Sequence, residues 1–230
     1  MQARAARTRN KLVRAGAELF DRKGYAQATL AQIAESAGLT KGALYFHFAS
    51  KDALVEDIEE QAQSLLRDFI RTQKEHGTSP VQALIDLTHL LAHTLHQDPV
   101  VRASYRISHE GAGRQPSIAD FHTPWIAEAL TLLEEACAQG QLREHQPRAR
   151  AETMLSTMVC GIGVLAAADS PRLQLTRGVA ELWDQLLPTL VPERDLDVYR
   201  TQALDSLLQG SDADPSNAHP GMPANSNRAA

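Results

Sequence analysis

The stretch TLAQIAESAGLTKGALYFHF, from Thr29 to Phe48, decides the fold of this 230-residue chain. Thr29 stands where an N-cap belongs, because a threonine hydroxyl accepts from a backbone N–H that the first helical turn leaves unpaired. The pattern predicts a short helix over Leu30–Ala37, with Ile33 and Ala34 as its buried edge. Gly38 tolerates the left-handed backbone of a tight turn, and Thr40 caps a second short helix from Lys41 to about His47. Two helices joined through a three- to four-residue glycine turn make a helix-turn-helix, placed at residues 30–49. Ala34 is small enough for a close crossing, and Leu39, Leu44 and Phe48 hold the second helix in place. Lys41, Gly42, Ala43, Tyr45 and His47 are left to face a major groove.

The flanks extend this unit. Arg4 to Lys23 reads as a first helix, with Leu12, Val13, Gly16, Leu19 and Phe20 on one face and Arg4, Arg7, Lys11 and Arg14 on the other. Gly24 ends it. Ser50 caps a long helix to about Glu75, with Leu54, Ile58, Leu65, Phe69 and Ile70 as apolar members. Up to Lys51 there are nine basic residues and three acids, a net +6, which leaves −11 for the rest of a chain whose total is −5. A basic end on an acidic body suits phosphates, since Lys and Arg that displace condensed counterions supply most non-specific DNA affinity.

Lys41-Gly-Ala-Leu-Tyr-Phe-His-Phe48, followed by Ser50-Lys-Asp-Ala-Leu54, resembles the DNA-binding domain of the TetR family, over Arg7 to about Gln63. The resemblance implies a three-helix reader followed by a long connecting helix. It also implies phosphate contacts by Thr29, Tyr45, His47 and Lys51 and base reading by Lys41, Gly42 and Ala43, with Thr40 in the same DNA-facing set. Lys41 would donate to guanine O6 and N7, and the two small residues would allow close approach. A buried Tyr45 or a merely exposed His47 is the structural alternative.

Beyond Gly77 and Pro80 the pattern remains helical, over about Val81–Gln97, Pro99–His109, Phe121–Gln139, Arg148–Ala168, Arg172–Leu187 and Arg194–Leu208. Breakers separate these segments: Asp98-Pro99, Gly111 to Pro116, Gly140, Pro147, Ser170-Pro171, Pro188 and Pro192. No alternating run suggests a sheet. The expected class is all-α: a helix-turn-helix domain at 7–67, a helical-bundle ligand-binding and dimerisation domain at 68–208, and a disordered tail at 209–230, rich in Pro, Asn, Ser and Gly. Cys137 and Cys160 lack metal or redox spacing and read as small core residues of a reducing cytoplasm. No apolar run spans a membrane.

A second resemblance joins KGALYFHF to Asp98-Pro-Val-Val-Arg102, Phe121-His-Thr-Pro-Trp125 and Ala180-Glu-Leu-Trp183 with Leu190-Val-Pro192. These look like the γ-butyrolactone receptor group, repressors that leave DNA on binding a butyrolactone, butenolide or furan signal. Trp125 is then placed against the ligand, where an indole offers an apolar wall and an N–H; the alternative is a plain core tryptophan. Tyr105 is its polar companion, and Leu90, Thr94, Leu132, Met158, Ile162 and Leu165 are the expected wall. Gly161 and Gly163 make room for a ligand or for a close helix contact.

His89, His93 and His96 resemble a metal stripe, but position 90 is Leu where a zinc protease carries Glu, and neither metal nor cofactor is expected. The helices 148–168 and 172–187 are expected to pair with a second copy as a four-helix bundle. The expected partners are operator DNA, a small effector and a second copy of the chain, with no membrane. The expected activity is repression released by a signalling molecule; the alternative is a TetR-type repressor of an efflux or catabolic operon. No placed nucleophile, phosphate-cradling glycine loop or catalytic carboxylate pair points to an enzyme.

Overall fold

A computed structural model describes residues 2–110, 121–143, 148–168 and 173–203. These residues form nine α-helices, a 3₁₀ turn and no strand. In order they are α1 (Gln2–Lys23), α2 (Leu30–Ser36), α3 (Lys41–His47), α4 (Lys51–Glu75), α5 (Pro80–Gln97), α6 (Pro99–Glu110), α7 (His122–Ala138), α8 (Arg148–Ala167) and α9 (Leu173–Leu190), then the turn at Glu193–Val198. The tail at 209–230, the Gly111–Pro116 stretch, Pro147 and Ser170-Pro171 lie outside the described residues.

The caps form as the sequence predicts. Thr29 accepts from Gln32 N–H in a reciprocal capping box, Thr40 accepts from Ala43 and Ser50 from Ala53. Each such cap contributes about 0.5–2 kcal/mol. Gly38 turns the chain at φ +65, a backbone that a side-chain-bearing residue adopts only with strain.

Two cores meet along α4 and α6. The reader's core gathers Leu12, Phe20, Ile33, Leu44, Phe48, Leu54 and Ile58, together with Ala103 and Ile107 of α6. The sensor's core begins on α4 at Ala62 and Leu66 and continues through buried apolar residues of α5, α7, α8 and α9. The change of core thus falls between Ile58 and Ala62, ahead of the expected boundary at 67. Helix α4 carries both cores on one rod about 38 Å long.

α5 is the axis of the sensor: every residue from Pro80 to Leu95 except Gln82 is buried. Its polar members are partnered. Thr88 accepts from Trp183 Nε1 at 2.8 Å, Asp86 meets the Arg200 guanidinium at 2.6 Å, and His89 Nε2 donates to Thr201 O at 2.7 Å. This face explains a departure from expectation, since residues 194–203 do not form the predicted helix. After the 3₁₀ turn Tyr199 is extended, and the Gln82 amide pairs both the N–H and the C=O of Arg200, at 2.9 and 3.1 Å. Those side-chain bonds replace the ones a helix would make internally. A second departure is that α9 runs through Pro188 to Leu190. Burial of Leu187, Leu190 and Val191 outweighs the bond that proline removes, a cost of about 3 kcal/mol.

Candidate nucleic-acid interface and effector cavities

On the reader, Lys41, Gly42 and Tyr45 are exposed, Ala43 and His47 are half-buried, and Thr29 and Thr40 are exposed at their caps. Tyr45 is 58% exposed, which removes the alternative of a core tyrosine. The basic face of α1 is open, with Arg4, Arg7, Lys11 and Arg14 all exposed. Of the candidate DNA-contacting set, Thr29, Thr40, Lys41, Gly42 and Tyr45 are thus accessible, and so is the basic face of α1.

Two cations of this region are bonded within the protein itself. Lys51 Nζ donates to the carbonyls of Tyr25 at 2.7 Å and Ala28 at 3.0 Å and lies 4.0 Å from the Tyr25 ring centroid. It clamps the α1–α2 turn onto the start of α4. Arg9 forks onto Asp57 at 2.9 and 3.0 Å, donates to His47 O at 3.2 Å and stacks 4.5 Å over Phe48. It ties α1 to the end of the reading helix. Phe46, 82% exposed and set edge-on to His47, is a further exposed side chain of α3 that the sequence reading did not single out. A lone aromatic between Tyr45 and His47 gives no pattern signal for exposure.

The seam between reader and sensor is built by α6. Arg102 Nε meets Asp21 Oδ2 at 2.8 Å, Arg106 donates to Asp21 O and to Glu110, and Glu110 accepts from Tyr25 N–H at 3.1 Å. A cavity of about 660 Å³ opens beside this clasp, bordered by Tyr105, His109 and Ala166. Tyr105 stacks on His109 at 4.1 Å and meets Phe121 edge-on at 5.4 Å, and Phe121 lies 6.2 Å from Trp125. An aromatic run thus connects the seam to Trp125.

Trp125 itself is 3% exposed. It borders a second cavity of about 10 Å³, toward which α4 contributes Glu59, Ala62, Gln63 and Leu66, α6 Ser104, and the α7 side Phe121 and Pro124. Glu59 Oε1 is buried without a hydrogen-bond partner. Burial, with Glu56 adding a like charge, pushes this carboxyl up to about 7. Glu59 was not legible as a site residue, because Glu56, Glu59 and Glu60 read as a solvated face; its place beside Ile58 and Ala62 at the edge of the apolar stripe was the available signal.

The expected ligand wall is not brought together. Met158, Ile162 and Leu165 border a groove of about 810 Å³ between α8 and α9, and Leu165 is 53% exposed, so it faces outward. Leu90, Thr94 and Leu132 are core residues bordering none of these three cavities. The glycine pair divides: a Cβ on Gly163 would sit 2.6 Å from Tyr105 and 2.7 Å from His122, whereas one on Gly161 meets nothing within 4 Å and faces the groove. Cys137 is exposed and Cys160 half-buried, so the expected core role fails for Cys137. His89 is occupied by Thr201 O, and no cluster of three metal-ligating side chains occurs among the described residues. No described helix is long and apolar enough to cross a membrane.

A helix-turn-helix reader on a rod shared with a helical sensor defines a one-component regulator. Two family models match: bacterial regulatory proteins of the tetR family over residues 12–58, and the tetracyclin repressor-like C-terminal domain over 78–192. The chain belongs to the TetR family, whose members are DNA-binding regulators and not enzymes. It is 34% identical over 193 residues to the A-factor receptor protein of Streptomyces griseus, spanning 82% of this chain and 66%, just under two thirds, of that relative. Among solved structures it resembles a gamma-butyrolactone receptor described as ArpA-like, with 33% identity and TM-score 0.73 over 90% of this chain and 99% of that one. CprB from Streptomyces coelicolor in complex with its operator sequence gives 34% identity and TM-score 0.71, over 90% and 98%.

Proposed function

We propose that the chain is a homodimeric repressor that leaves its operator when a small lactone-type molecule, a butyrolactone or butenolide, enters beside Trp125. The observation that carries this is the double attachment of α6. Its Ala103 and Ile107 are buried in the reader's core, its Arg102 and Glu110 hold α1, and its Ser104 borders the Trp125 cavity. A molecule that parts α7 from α4 and α6 therefore moves the reader.

Dimerisation is supported by the α8/α9 groove, where Leu165 and Leu182 are 53% and 41% exposed. Apolar side chains of that size in one groove call for a covering surface, and a second copy supplies it with two-fold symmetry. Thr29, Thr40, Tyr45 and His47 then set the dock and Lys41, Gly42 and Ala43 read bases in each half-site. The ligand acts by its differential affinity for the released form, and the loss of simultaneous engagement by both readers costs the avidity. The lactone class rests on the likeness to solved structures named gamma-butyrolactone receptors and on the indole wall.

The test is a mobility shift on the chain's own upstream DNA, with and without an alkyl γ-butyrolactone. Trp125→Ala is expected to bind the operator and to resist release. Unchanged potency in that variant would move the ligand elsewhere. Release by unrelated apolar drugs in preference to lactones would favour an efflux or catabolic repressor.

A further inference from the structure

We propose that Glu59 is the selectivity residue of the Trp125 cavity, where its carboxyl group donates a hydrogen bond to the carbonyl of an uncharged effector and turns away the matching carboxylate. The inference rests on the effector site proposed above and narrows its ligand to neutral molecules.

Buried polar atoms are almost always partnered, so an orphan calls for an explanation. Glu59 Oε1 is such an orphan, and it sits on the wall of the cavity that Trp125 closes. Glu59 as a residue is only half-buried, yet its Oε1 is closed off on the cavity side with no donor of the protein aimed at it. The other polar groups on this wall are Gln63, Ser104 and the indole N–H of Trp125; none of the lining residues is Lys, Arg or His. An incoming carboxylate would therefore find no counter-charge, and beside Glu59 and Glu56 it would meet like charge, which two carboxylates in one site cannot both retain. A lactone carbonyl needs only a donor, which the un-ionised acid provides. That Glu59 holds its proton up to about 7 agrees with this role. A cationic amine would instead require the ionised form, which burial opposes.

The full-length protein is titrated at neutral pH with three probes: α-hexyl-γ-butyrolactone, the γ-hydroxy carboxylate made by opening its ring, and hexylamine. Tryptophan quenching and operator release are read together. The wild type is expected to prefer the lactone to the carboxylate by at least roughly tenfold. Glu59→Gln keeps a donor but never ionises, so lactone affinity stays within about threefold while the preference collapses. Glu59→Leu removes the donor, and lactone affinity falls roughly tenfold. Equal wild-type affinities, an undiminished preference in Glu59→Gln, or tighter binding of hexylamine overturns the inference. If Trp125→Ala abolishes lactone binding while the Glu59 variants change nothing, only the role of Glu59 fails. If Trp125→Ala binds as the wild type does, or if no probe binds the wild type, the effector site fails and this inference with it.

Discussion

Arg102 on the sensor and Asp21 on the reader meet at 2.8 Å, each with a quarter of its side chain exposed, and the same guanidinium donates to His96 O at 2.6 Å. This one side chain therefore joins the end of α5, the start of α6 and the end of α1. Replacing Arg102 by Ala should loosen the clasp by about 1–2 kcal/mol, between the values of exposed and buried charged bonds. The expected phenotype is operator binding with a blunted response to effector. A full response, measured by operator release across a dose series, would show that coupling runs through α4 alone.

The two lysines of the reader should separate cleanly. Lys51→Ala removes a donor from the Tyr25 and Ala28 carbonyls and should lower reader stability by about 1–3 kcal/mol. Lys41→Ala, on an exposed position, should leave the melting temperature unchanged. It should relax discrimination at one or two base pairs per half-site by about 1–3 kcal/mol. Calorimetry beside operator-variant titrations checks both; an unaltered melting temperature in Lys51→Ala would return that lysine to phosphate duty.

Gly163→Ala forces a Cβ to within 2.6 Å of Tyr105 and 2.7 Å of His122, an overpacking that costs about 1–3 kcal/mol. Gly161→Ala meets nothing within the protomer and should gain up to about 1 kcal/mol of helix propensity. Any loss that Gly161→Ala shows should appear in the dimerisation constant. Denaturant unfolding at two protein concentrations distinguishes the two cases.

Stability should carry the imprint of Glu59. Its carboxyl is raised from 4.5 to about 7 in the folded chain, so its contribution is complete below the unfolded value and is lost as pH rises through the folded one. Glu59→Gln does not titrate and should therefore gain on the wild type between about pH 4.5 and about pH 7. Melting temperatures of the pair across that range test the sign; a constant difference would mean that the carboxyl is ordinarily solvated.

The reader was legible because its instructions are local. Thr29, Thr40 and Ser50 each cap the helix that begins one residue later, and Gly38 marks its own turn. What escaped was assembled from afar. Lys51 looks the same in sequence whether its ammonium meets a phosphate or two carbonyls some 25 positions earlier. The polar face of α5 read as a histidine stripe until Arg200 and Thr201 were seen lying on it. The cavity beside Trp125 needs α4, α6 and α7 together, so no single helical pattern separates its wall from ordinary core, and Leu90, Thr94 and Leu132, expected around Trp125 as pocket wall, are core residues that do not border it.

With about 10 Å³ beside Trp125, roughly the space of one water, an effector entering there as proposed must first part the helices, and the concentration that releases the operator becomes partly a property of the protein's own adhesion. The apparent affinity is the intrinsic one reduced by the fraction of molecules already open. Each 1.4 kcal/mol of extra contact between α4 and α7 thus raises the threshold about tenfold without altering any atom the signal touches. Residues such as Ala62 and Leu66, which line that cavity, would then set the threshold, and substitutions among them offer a graded dial for retuning it.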